Sequence, residues 1–460
     1  MHLLDYIMQH AKNNEDCTAF KVEEKEITYG DLQYYINLNR NKLCELGFTE
    51  NDEVMLLYEN PLDWIIGLLS LLSLNSIVLP LDSHIESKKL ENLKETLNNP
   101  KVLNNEVYKI HYEKTFLVDR CRILVDEKKA GILHCTSGST SRPKLCYRTL
   151  AALTAEGRSF KELLYITEKD KILGLPPLYH SFALGAALMS SIVSGASLIL
   201  IPQFKPRQAL EVIIDEKVSI VVLVPIMAKV ISNLADKKNE KYDSLRVALC
   251  GAGAVNQELY DTFKSAFGVN LMCNYGSTET GGIISRVSNE YIGAIGKPMP
   301  GVSIKIKDEF GDFVKAGNQG ELWVKSDEIM ETYYHQDTIF DDEGYFPTGD
   351  IVYQNNKGYI FIVGRKKSII KIGGKTVDLN LIRDVISELP GVVECAVIAK
   401  EELESPKIKL IINTNEQYSK KEIIIHCKTK LDQYHVPHEI IFTTELKRNS
   451  LNKLDLSKYV

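Results

Sequence analysis

Residues Ile132–Lys144 read ILHCTSGSTSRPK, a short apolar stretch followed by small hydroxyl residues and a closing lysine. The apolar start is typical of the end of a buried strand. The small residues let backbone N–H groups approach an anion closely, and the lysine adds a positive point charge. The stretch lacks the Gly-Lys pair of the G-x-x-x-x-G-K-[ST] loop. It therefore indicates either another kind of phosphate loop or a polar surface loop.

Strand and helix patterns alternate on both sides of this stretch. Segments 52–58, 218–225 and 245–251 are rich in apolar and β-branched residues and predict strands. Strands that alternate with helices predict an α/β fold with mostly parallel sheets flanked by helices. From about Gly293, short strands and glycine turns predict a β-rich subdomain, and from about Ser368 the pattern is strand, helix, strand, helix, strand.

The composition narrows the class of protein. The chain has 460 residues, which suggests more than one domain, and its net charge of −6 argues against general attraction to nucleic acid or anionic membranes. None of the nine cysteines forms a C-x-x-C pair, which favours free thiols and a cytoplasmic location. The N-terminal residues lack the pattern of a signal peptide.

Uncharged runs at 64–81 and 179–204 are long enough to span a membrane. Each is interrupted where a turn between a helix and a strand would fall, the first at Asn75-Ser76 and the second at Gly195. A buried helix followed by a buried strand is therefore the prediction for both runs, with no transmembrane segment.

Further motifs follow the first stretch in a fixed order. Cys250–Ala254 reads CGAGA, Asn274–Thr280 reads NYGSTET, Pro347–Asp350 reads PTGD, Gly364–Gly374 reads GRKKSIIKIGG and Leu446–Lys453 reads LKRNSLNK. Together with the first stretch, this ordered set resembles the motifs of the adenylate-forming (AMP-binding) superfamily. The pattern is closest to that of the acyl-CoA synthetases.

The resemblance implies a domain organisation. Residues 1–366 would form a large N-terminal adenylation core of mostly parallel sheets flanked by helices, with the β-rich subdomain at about 293–366. Residues 367–460 would form a small mobile α+β C-terminal domain that turns on a hinge at Lys367.

The function that the resemblance implies is ATP-dependent activation of a fatty or aromatic carboxylic acid. The acid becomes an acyl-adenylate with release of pyrophosphate, Mg²⁺ assists, and the acyl group passes to the thiol of coenzyme A. One alternative is transfer to the phosphopantetheine of an acyl carrier protein in trans. Another, from a different class, is a non-catalytic nucleotide-binding homologue.

By resemblance, Thr278 contacts the α-phosphate, Glu279 holds Mg²⁺, and His180 lies near the acyl-adenylate. Lys453 bridges the carboxylate and the α-phosphate. Taken alone, each of these residue types is more often an ordinary surface or core residue, and the ordered set of motifs carries the assignment. The ATP- and AMP-binding residues implied are Thr136, Ser137, Gly138, Ser139, Thr140, Lys144, Gly251, Ala252, Gly253, Asn274, Tyr275, Gly276, Ser277, Asp350 and Arg365. The hinge and thiol-tunnel residues implied are Lys367, Lys371, Gly373 and Gly374.

Two further features bear on the substrates. Members of the superfamily that activate amino acids carry an aspartate near the position of His180, and this chain has no Asp or Glu between Lys171 and Glu211. A plain acid is therefore expected rather than an α-amino acid. The sequence departs from the family pattern at Ser141, Leu381 and Lys447, which bears on the loop and on the C-terminal domain.

Overall fold

A computed structural model describes residues 1–97, 100–113, 125–136, 144–235, 242–287, 290–336, 339–372, 375–400, 406–447 and 459. The strands are β1 (Thr18–Val22), β2 (Lys25–Thr28), β3 (Glu53–Leu57), β4 (Ile77–Pro80), β5 (Lys101–Asn104), β6 (Gly131–Cys135), β7 (Leu145–Thr149), β8 (Lys171–Gly174), β9 (Ser197–Leu200), β10 (Ile220–Leu223), β11 (Val247–Cys250), β12 (Leu271–Ser277), β13 (Gly281–Arg286), β14 (Lys297–Pro298), β15 (Ser303–Lys307), β16 (Gln319–Lys325), β17 (Thr332–Tyr333), β18 (Phe346–Gln354), β19 (Ile360–Arg365), β20 (Ile369–Ile372), β21 (Lys375–Asp378), β22 (Val392–Lys400), β23 (Lys407–Thr414) and β24 (Glu439–Phe442). The α-helices are α1 (Leu3–Asn13), α2 (Tyr29–Glu45), α3 (Pro61–Leu72), α4 (Ser87–Thr96), α5 (Leu150–Leu164), α6 (Ser181–Ala183), α7 (Ser190–Ser194), α8 (Pro206–Asp215), α9 (Pro225–Leu234), α10 (Gln257–Phe267), α11 (Leu379–Ser387) and α12 (Lys420–Lys430).

The described residues fall into two compact units. Unit 1 comprises the described residues of Met1–Gly138, Pro143–Ile304 and Val324–Tyr345, and unit 2 comprises those of Lys305–Trp323 and Phe346–Val460. The α/β fold class predicted from the sequence is confirmed. The domain boundary and hinge at Lys367 stay predictions.

The larger sheet of unit 1 has the strand order β14-β13-β12-β11-β10-β8-β9-β1-β2. Its central strands β8 to β12 run parallel, and the pairing becomes antiparallel at β12–β13 and at β1–β2. A second sheet has the order β17-β7-β6-β4-β3-β5, in which β5, β3, β4 and β6 are parallel. In each sheet, the carboxyl ends of parallel strands meet at one side, which is where α/β folds bind ligands.

The uncharged runs at 64–81 and 179–204 fold as predicted. The first becomes the end of α3 and strand β4, joined by a turn in which Asn75 has φ +60°. The second contains α6, a π-helical segment at Leu184–Met189, α7 and β9, with Gly195 at φ +79° ending the helical part. The first run is almost entirely buried and the second is mostly buried, which explains their lack of charge. Among the described residues, no helix has the length and apolar character needed to cross a membrane.

Unit 2 contains most of a sheet of order β15-β16-β18-β19, the hairpin β20-β21 and a sheet of order β22-β23-β24. Helices α11 and α12 share an apolar cluster with the last sheet, through residues such as Ile382, Ile423 and Leu410. The C-terminal segment differs from its predicted pattern, because each of the first two predicted strands is an antiparallel pair. The turn of a short hairpin interrupts the apolar pattern of a strand over only a few residues. The two strands of each hairpin were therefore predicted as one strand.

Candidate active site

The loops that follow the parallel strands of the larger sheet bring several predicted site residues to one side of unit 1. His180 follows β8, Gly251 to Gly253 follow β11, and Thr278 follows β12. The register pairs Gly174 of β8 with Val222 of β10, and Leu223 of β10 with Cys250 of β11. The strands therefore end nearly level, so residues that are about 100 positions apart in sequence lie at one end of the sheet.

The predicted phosphate loop joins two antiparallel strands. Cys135 at the end of β6 pairs with Leu145 at the start of β7, and the Thr136 N–H donates to the carbonyl oxygen of Lys144 at 2.9 Å. Thr136 and Lys144 therefore hold the two ends of the loop together. Ser137, Gly138, Ser139 and Thr140, together with Ser141, Arg142 and Pro143, lie outside the described residues.

A tight turn between β12 and β13 carries Thr278 and Glu279. The Ser277 N–H donates to the hydroxyl of Thr280 at 2.9 Å, which fixes the start of the turn. Gly276 is required here, because a Cβ at this position would lie 1.9 Å from the carbonyl oxygen of Gly281. Thr278 and Glu279 are both half-buried, so the turn is held by the fold while its side chains remain accessible.

Glu279 is held by residues of the segment that contains β17. The hydroxyl of Tyr333 donates to Oε1 of Glu279 at 2.8 Å, and the Met330 N–H donates to the Glu279 carbonyl oxygen at 2.7 Å. The Lys144 ammonium lies 4.7 Å from the centroid of the Tyr333 ring. Tyr333 thus contacts both the predicted metal ligand and the lysine that ends the predicted phosphate loop.

The Glu279 carboxylate is a suitable ligand for the Mg²⁺ that the family motif implies. Among the described residues, no group of three or more His, Cys, Asp or Glu side chains is gathered to hold a metal ion. Mg²⁺ commonly binds through one or two carboxylates together with substrate phosphates and waters, rather than through a full protein cage. The single half-buried carboxylate of Glu279, which Tyr333 links to the lysine that ends the predicted phosphate loop, matches that mode.

Close packing surrounds the residues predicted to lie beside the adenine. A Cβ on Gly251 would lie 2.5 Å from the ring of Phe182, and a Cβ on Gly253 would lie 2.9 Å from Pro225. Ala252, between these two glycines, adopts a left-handed backbone with φ +57°. The small residues are therefore needed for the loop to pass between the segments that follow β8 and β10.

Asn274 and Tyr275, on the last part of β12, differ in accessibility. Asn274 is buried, and its amide group lies 3.1 Å from Sδ of Met299. Tyr275 is half-buried. Asn274 thus packs inside the fold, and Tyr275 is the more accessible of the two for stacking on a base.

His180 is the N-cap residue directly before the short helix α6, and it is exposed to solvent. Desolvation by the surrounding protein lowers its pKa, although the negative charge of Asp82 acts in the opposite direction. A histidine with a lowered pKa is neutral at physiological pH. His180 is therefore a neutral hydrogen-bonding group and not a fixed cation at this place.

Asp82 was missed by the sequence analysis. The hydroxyl of Tyr179 donates to its Oδ2 at 3.0 Å, which links the end of the second sheet to the loop after β8. Burial opposes ionisation of Asp82, but hydrogen bonds from the His84 N–H and from Tyr179 outweigh it and keep the pKa of Asp82 below its ordinary value. An acidic side chain does therefore lie near His180, supplied by a segment about 100 residues away.

A cavity of about 630 Å³ opens beside this contact. Its walls include Tyr58, Trp64, Leu175, Tyr179 and Phe204. These residues come from α3 and from segments that follow strands of both sheets of unit 1, and charged side chains such as Glu59 and Lys205 also line the cavity. The cavity has the size and mixed character typical of small-molecule sites.

A buried ionic cluster also escaped the sequence analysis. Arg148 on β7 and Glu156 on α5 form an ion pair with Nη2 and Oε2 2.9 Å apart, and Arg148 also donates to the carbonyl oxygen of Glu328 at 2.8 Å. Glu156 in turn accepts the N–H of Gly282, just after the turn that carries Glu279. The sequence feature that could have revealed this cluster is the presence of an arginine in an apolar strand, Arg148, and of a glutamate on the apolar face of a helix, Glu156.

Unit 2 contains the predicted ribose-binding pair. Asp350 and Arg365 are opposite each other on β18 and β19, and their side chains form an ion pair with Oδ1 and Nε 2.8 Å apart. Asp350 is buried, whereas Arg365 is largely exposed. Arg365 also donates to the carbonyl oxygen of Thr348 at 3.3 Å. The pairing holds the Asp350 carboxylate in one orientation, and its role toward a ribose stays a prediction.

The remaining predicted residues belong to the hinge and to the C-terminal motif. Lys453, Gly373 and Gly374 lie outside the described residues. Lys367 belongs to a 3₁₀ turn at Lys366–Ser368 and Lys371 to β20, and their side chains are also outside the description.

Two family models match this chain. The model described as AMP-binding enzyme matches residues 7–334, and the model described as AMP-binding enzyme C-terminal domain matches residues 382–453. The first alone covers well over half of the chain.

Among curated proteins, the chain is 26% identical to a 2-succinylbenzoate–CoA ligase of Lactococcus lactis subsp. lactis, an alignment that covers 93% of this chain and 94% of the relative. It is 24% identical to the indoleacetate–CoA ligase of Aromatoleum aromaticum, over 99% of this chain and 96% of that one. Among solved structures, o-succinylbenzoate CoA synthetase (MenE) from Bacillus subtilis, in complex with the acyl-adenylate intermediate OSB-AMP, superposes with a TM-score of 0.84 at 23% identity, covering 98% of this chain and 96% of that chain.

Proposed function

This chain belongs to the AMP-binding enzyme family, and from that premise we propose that it joins an aromatic carboxylic acid to coenzyme A through an acyl-adenylate. The chain is an acid–thiol ligase whose cofactors are ATP, Mg²⁺ and coenzyme A. The observation that carries the proposal is the arrangement of Lys144, Glu279 and Tyr333 at the ends of the strands, where an anionic reaction needs charge and oriented donors.

In the first half-reaction, the acid's carboxylate attacks the α-phosphate of ATP, and pyrophosphate leaves. Mg²⁺ offsets the charge of the phosphates when it is bound. Within unit 1, Lys144 and the backbone around Thr136 would face the β- and γ-phosphates, Glu279 would hold the metal, and Thr278 would contact the α-phosphate. The close spacing of Lys144, Tyr333 and Glu279 supports this division of roles.

The aromatic class of acid is proposed from the relatives and from the residues near His180. The Lactococcus and Aromatoleum ligases are named for 2-succinylbenzoate and indoleacetate, both of which contain an aromatic ring. The sequence left open a fatty or an aromatic acid, and these names favour the aromatic acid. The assignment to fatty acid metabolism finds no support. Phe182 and Tyr179 supply aromatic surface close to His180, and the cavity beside Tyr179 offers space for a substrate.

The acceptor proposed is coenzyme A. The two ligases and the Bacillus subtilis synthetase are all named for coenzyme A, and none of the three is named for a carrier protein, so the carrier alternative lacks support. We further propose that Lys453 serves adenylation and that rotation at Lys367 brings the thioester-forming residues into place. Both roles follow from the family motifs at these positions.

A panel of acids tests the proposal. Purified protein is incubated with ATP, Mg²⁺ and single aromatic, fatty or amino acids, and pyrophosphate is measured with and without coenzyme A. An aromatic acid should give the fastest pyrophosphate release, and a thioester should form only when coenzyme A is present. Release of ADP and orthophosphate would exclude the adenylate mechanism, and preference for a fatty or amino acid would overturn the aromatic assignment.

A further inference from the structure

Tyr333 lies between the two charged groups that the proposed adenylation site uses in unit 1. Its hydroxyl donates to the Glu279 carboxylate at 2.8 Å, and its ring faces the Lys144 ammonium at 4.7 Å. The residue comes from neither of the motifs that contain Glu279 and Lys144. It belongs to β17, which pairs with β7 so that Tyr333 is opposite Cys146.

Backbone hydrogen bonds on both sides of Tyr333 fix its position. Three residues earlier, the Met330 N–H donates to the Glu279 carbonyl oxygen at 2.7 Å. One residue later, the Tyr334 N–H donates to the carbonyl oxygen of Leu145 at 2.8 Å, directly after Lys144. The segment is therefore attached at one end to the turn that carries Glu279 and at the other to the strand that follows the phosphate loop.

The direction of the hydrogen bond between Tyr333 and Glu279 follows from the two groups. An ionised carboxylate can only accept, so the Tyr333 hydroxyl is the donor. A phenol that donates to a carboxylate becomes richer in electron density, which strengthens the attraction of its ring for a cation. The contacts with Glu279 and with Lys144 consequently reinforce each other.

We propose that Tyr333 is a positioning residue, which orients the Glu279 carboxylate for Mg²⁺ and holds Lys144 beside it for the triphosphate. This inference rests on the proposed adenylation function. Tyr333 acts through Glu279 and Lys144 and takes no part in bond formation. Its removal should therefore weaken metal binding without changing the reaction's products.

Two substitutions at Tyr333 separate its contact with Glu279 from its contact with Lys144. Tyr333→Phe removes the hydrogen bond to Glu279 but keeps the ring beneath Lys144, whereas Tyr333→Leu removes both. Tyr334→Phe is a matched control, since the neighbouring Tyr334 also donates to a carboxylate, that of Glu53 on β3. Tyr333 is buried and Tyr334 is half-buried, both in unit 1, so the control reports the general cost of removing a tyrosine hydroxyl that donates to a carboxylate.

Metal binding is measured directly with Mn²⁺ in place of Mg²⁺, by electron paramagnetic resonance in the presence of α,β-methylene-ATP and without acid. Hydrogen bonds to charged groups are strong enough that Tyr333→Phe should weaken Mn²⁺ binding by about tenfold or more. Tyr334→Phe should leave it within about twofold of the wild type. In a parallel pyrophosphate assay, Tyr333→Phe should raise the Mg²⁺ concentration for half-maximal rate by a larger factor than it lowers kcat at saturating Mg²⁺. Tyr333→Leu should in addition raise KM for ATP.

A double variant tests whether Tyr333 acts through Glu279. In a Glu279→Gln background, Tyr333→Phe should add less than about twofold to the loss, because coupled residues are not additive. Unchanged Mn²⁺ affinity in Tyr333→Phe, equal effects of Tyr333→Phe and Tyr334→Phe, or full additivity with Glu279→Gln would each overturn the inference. A wild-type protein that binds the Mn²⁺–nucleotide complex but releases no pyrophosphate with any acid would instead overturn the proposed function.

Discussion

The buried ionic cluster next to the turn that carries Thr278 and Glu279 predicts an unusual dependence of stability on pH. Arg148, Glu156 and Glu328 are all at most 2% exposed, so one positive charge is enclosed with two carboxyl groups. Arg148 pairs with the Glu156 carboxylate but meets Glu328 only through its carbonyl oxygen. Burial first, and repulsion from Glu156 second, therefore raise the pKa of Glu328 from 4.5 to about 8.

The size of the effect follows from this shift. A raised pKa in the folded state means that the stability associated with the protonated acid is complete below pH 4.5 and is lost as the pH rises toward 8. At about 1.4 kcal/mol per pKa unit, the full loss is about 5 kcal/mol, and about 2 kcal/mol of it falls between pH 6 and pH 8. Glutamine has the same shape and cannot ionise, so Glu328→Gln should remove this loss.

Urea unfolding at pH 6 and pH 8 measures the difference. Trp64 is buried in unit 1 and Trp323 belongs to unit 2, so a Trp323→Phe background lets fluorescence follow unit 1 alone. Relative to the parent, Glu328→Gln should gain about 2 kcal/mol on going from pH 6 to pH 8. Glu162→Gln, at an exposed position on the same helix as Glu156, serves as the control and should show no such change. A stability difference between Glu328→Gln and the parent that is equal at the two pH values would refute the reasoning.

Three further predictions concern catalysis. Glu279→Gln should keep the fold but raise the Mg²⁺ requirement for pyrophosphate release, since an amide is a neutral and weaker ligand, and an unchanged rate at limiting Mg²⁺ would exclude the role of Glu279. Gly251→Ala should lower kcat/KM for the acid, because the added Cβ would lie 2.5 Å from the Phe182 ring. The double variant Gly251→Ala/Phe182→Leu should recover part of the loss. An unchanged kcat/KM in the single variant would argue against close packing between Gly251 and Phe182. Lys453→Ala should slow adenylate formation through the loss of about 3 kcal/mol of transition-state stabilisation, but the variant should still convert a supplied acyl-adenylate to thioester. Lys367→Pro should do the reverse, because proline restricts the backbone at the predicted hinge. Equal loss of both half-reactions in both folded variants would contradict separate roles for the two lysines.

The motifs and the fold class were predictable because each depends on residues that are close together in the sequence. Thr278 and Glu279 are adjacent, and the glycines around Ala252 fall directly after a recognisable strand. The structure confirms that these local patterns end parallel strands at one side of a sheet. A strand-and-helix pattern fixes this arrangement because all parallel strands of a sheet must point the same way.

Contacts between distant segments were not predictable in this way. Tyr333 meets Glu279 across 54 positions of sequence, and Tyr179 meets Asp82 across 97. Nothing in the local pattern around Tyr333 distinguishes it from the adjacent Tyr334, whose hydroxyl bonds to another carboxylate. The pairing of β17 with β7 decides between these tyrosines, and that pairing is a property of the assembled sheet.

Strand β7 connects two groups of contacts around the turn that carries Thr278 and Glu279. Cys146 and Arg148 are two residues apart, so both side chains face the same side of the sheet. The Cys146 Sγ lies 3.5 Å from the carbonyl oxygen of Thr278, and Arg148 holds Glu156, which accepts from Gly282. One strand therefore supports the turn both at Thr278, a predicted catalytic residue, and just beyond the turn at Gly282. Because the same strand begins directly after Lys144, a displacement of β7 would move the end of the predicted phosphate loop and the turn together, so the positions of the two relative to each other would be kept.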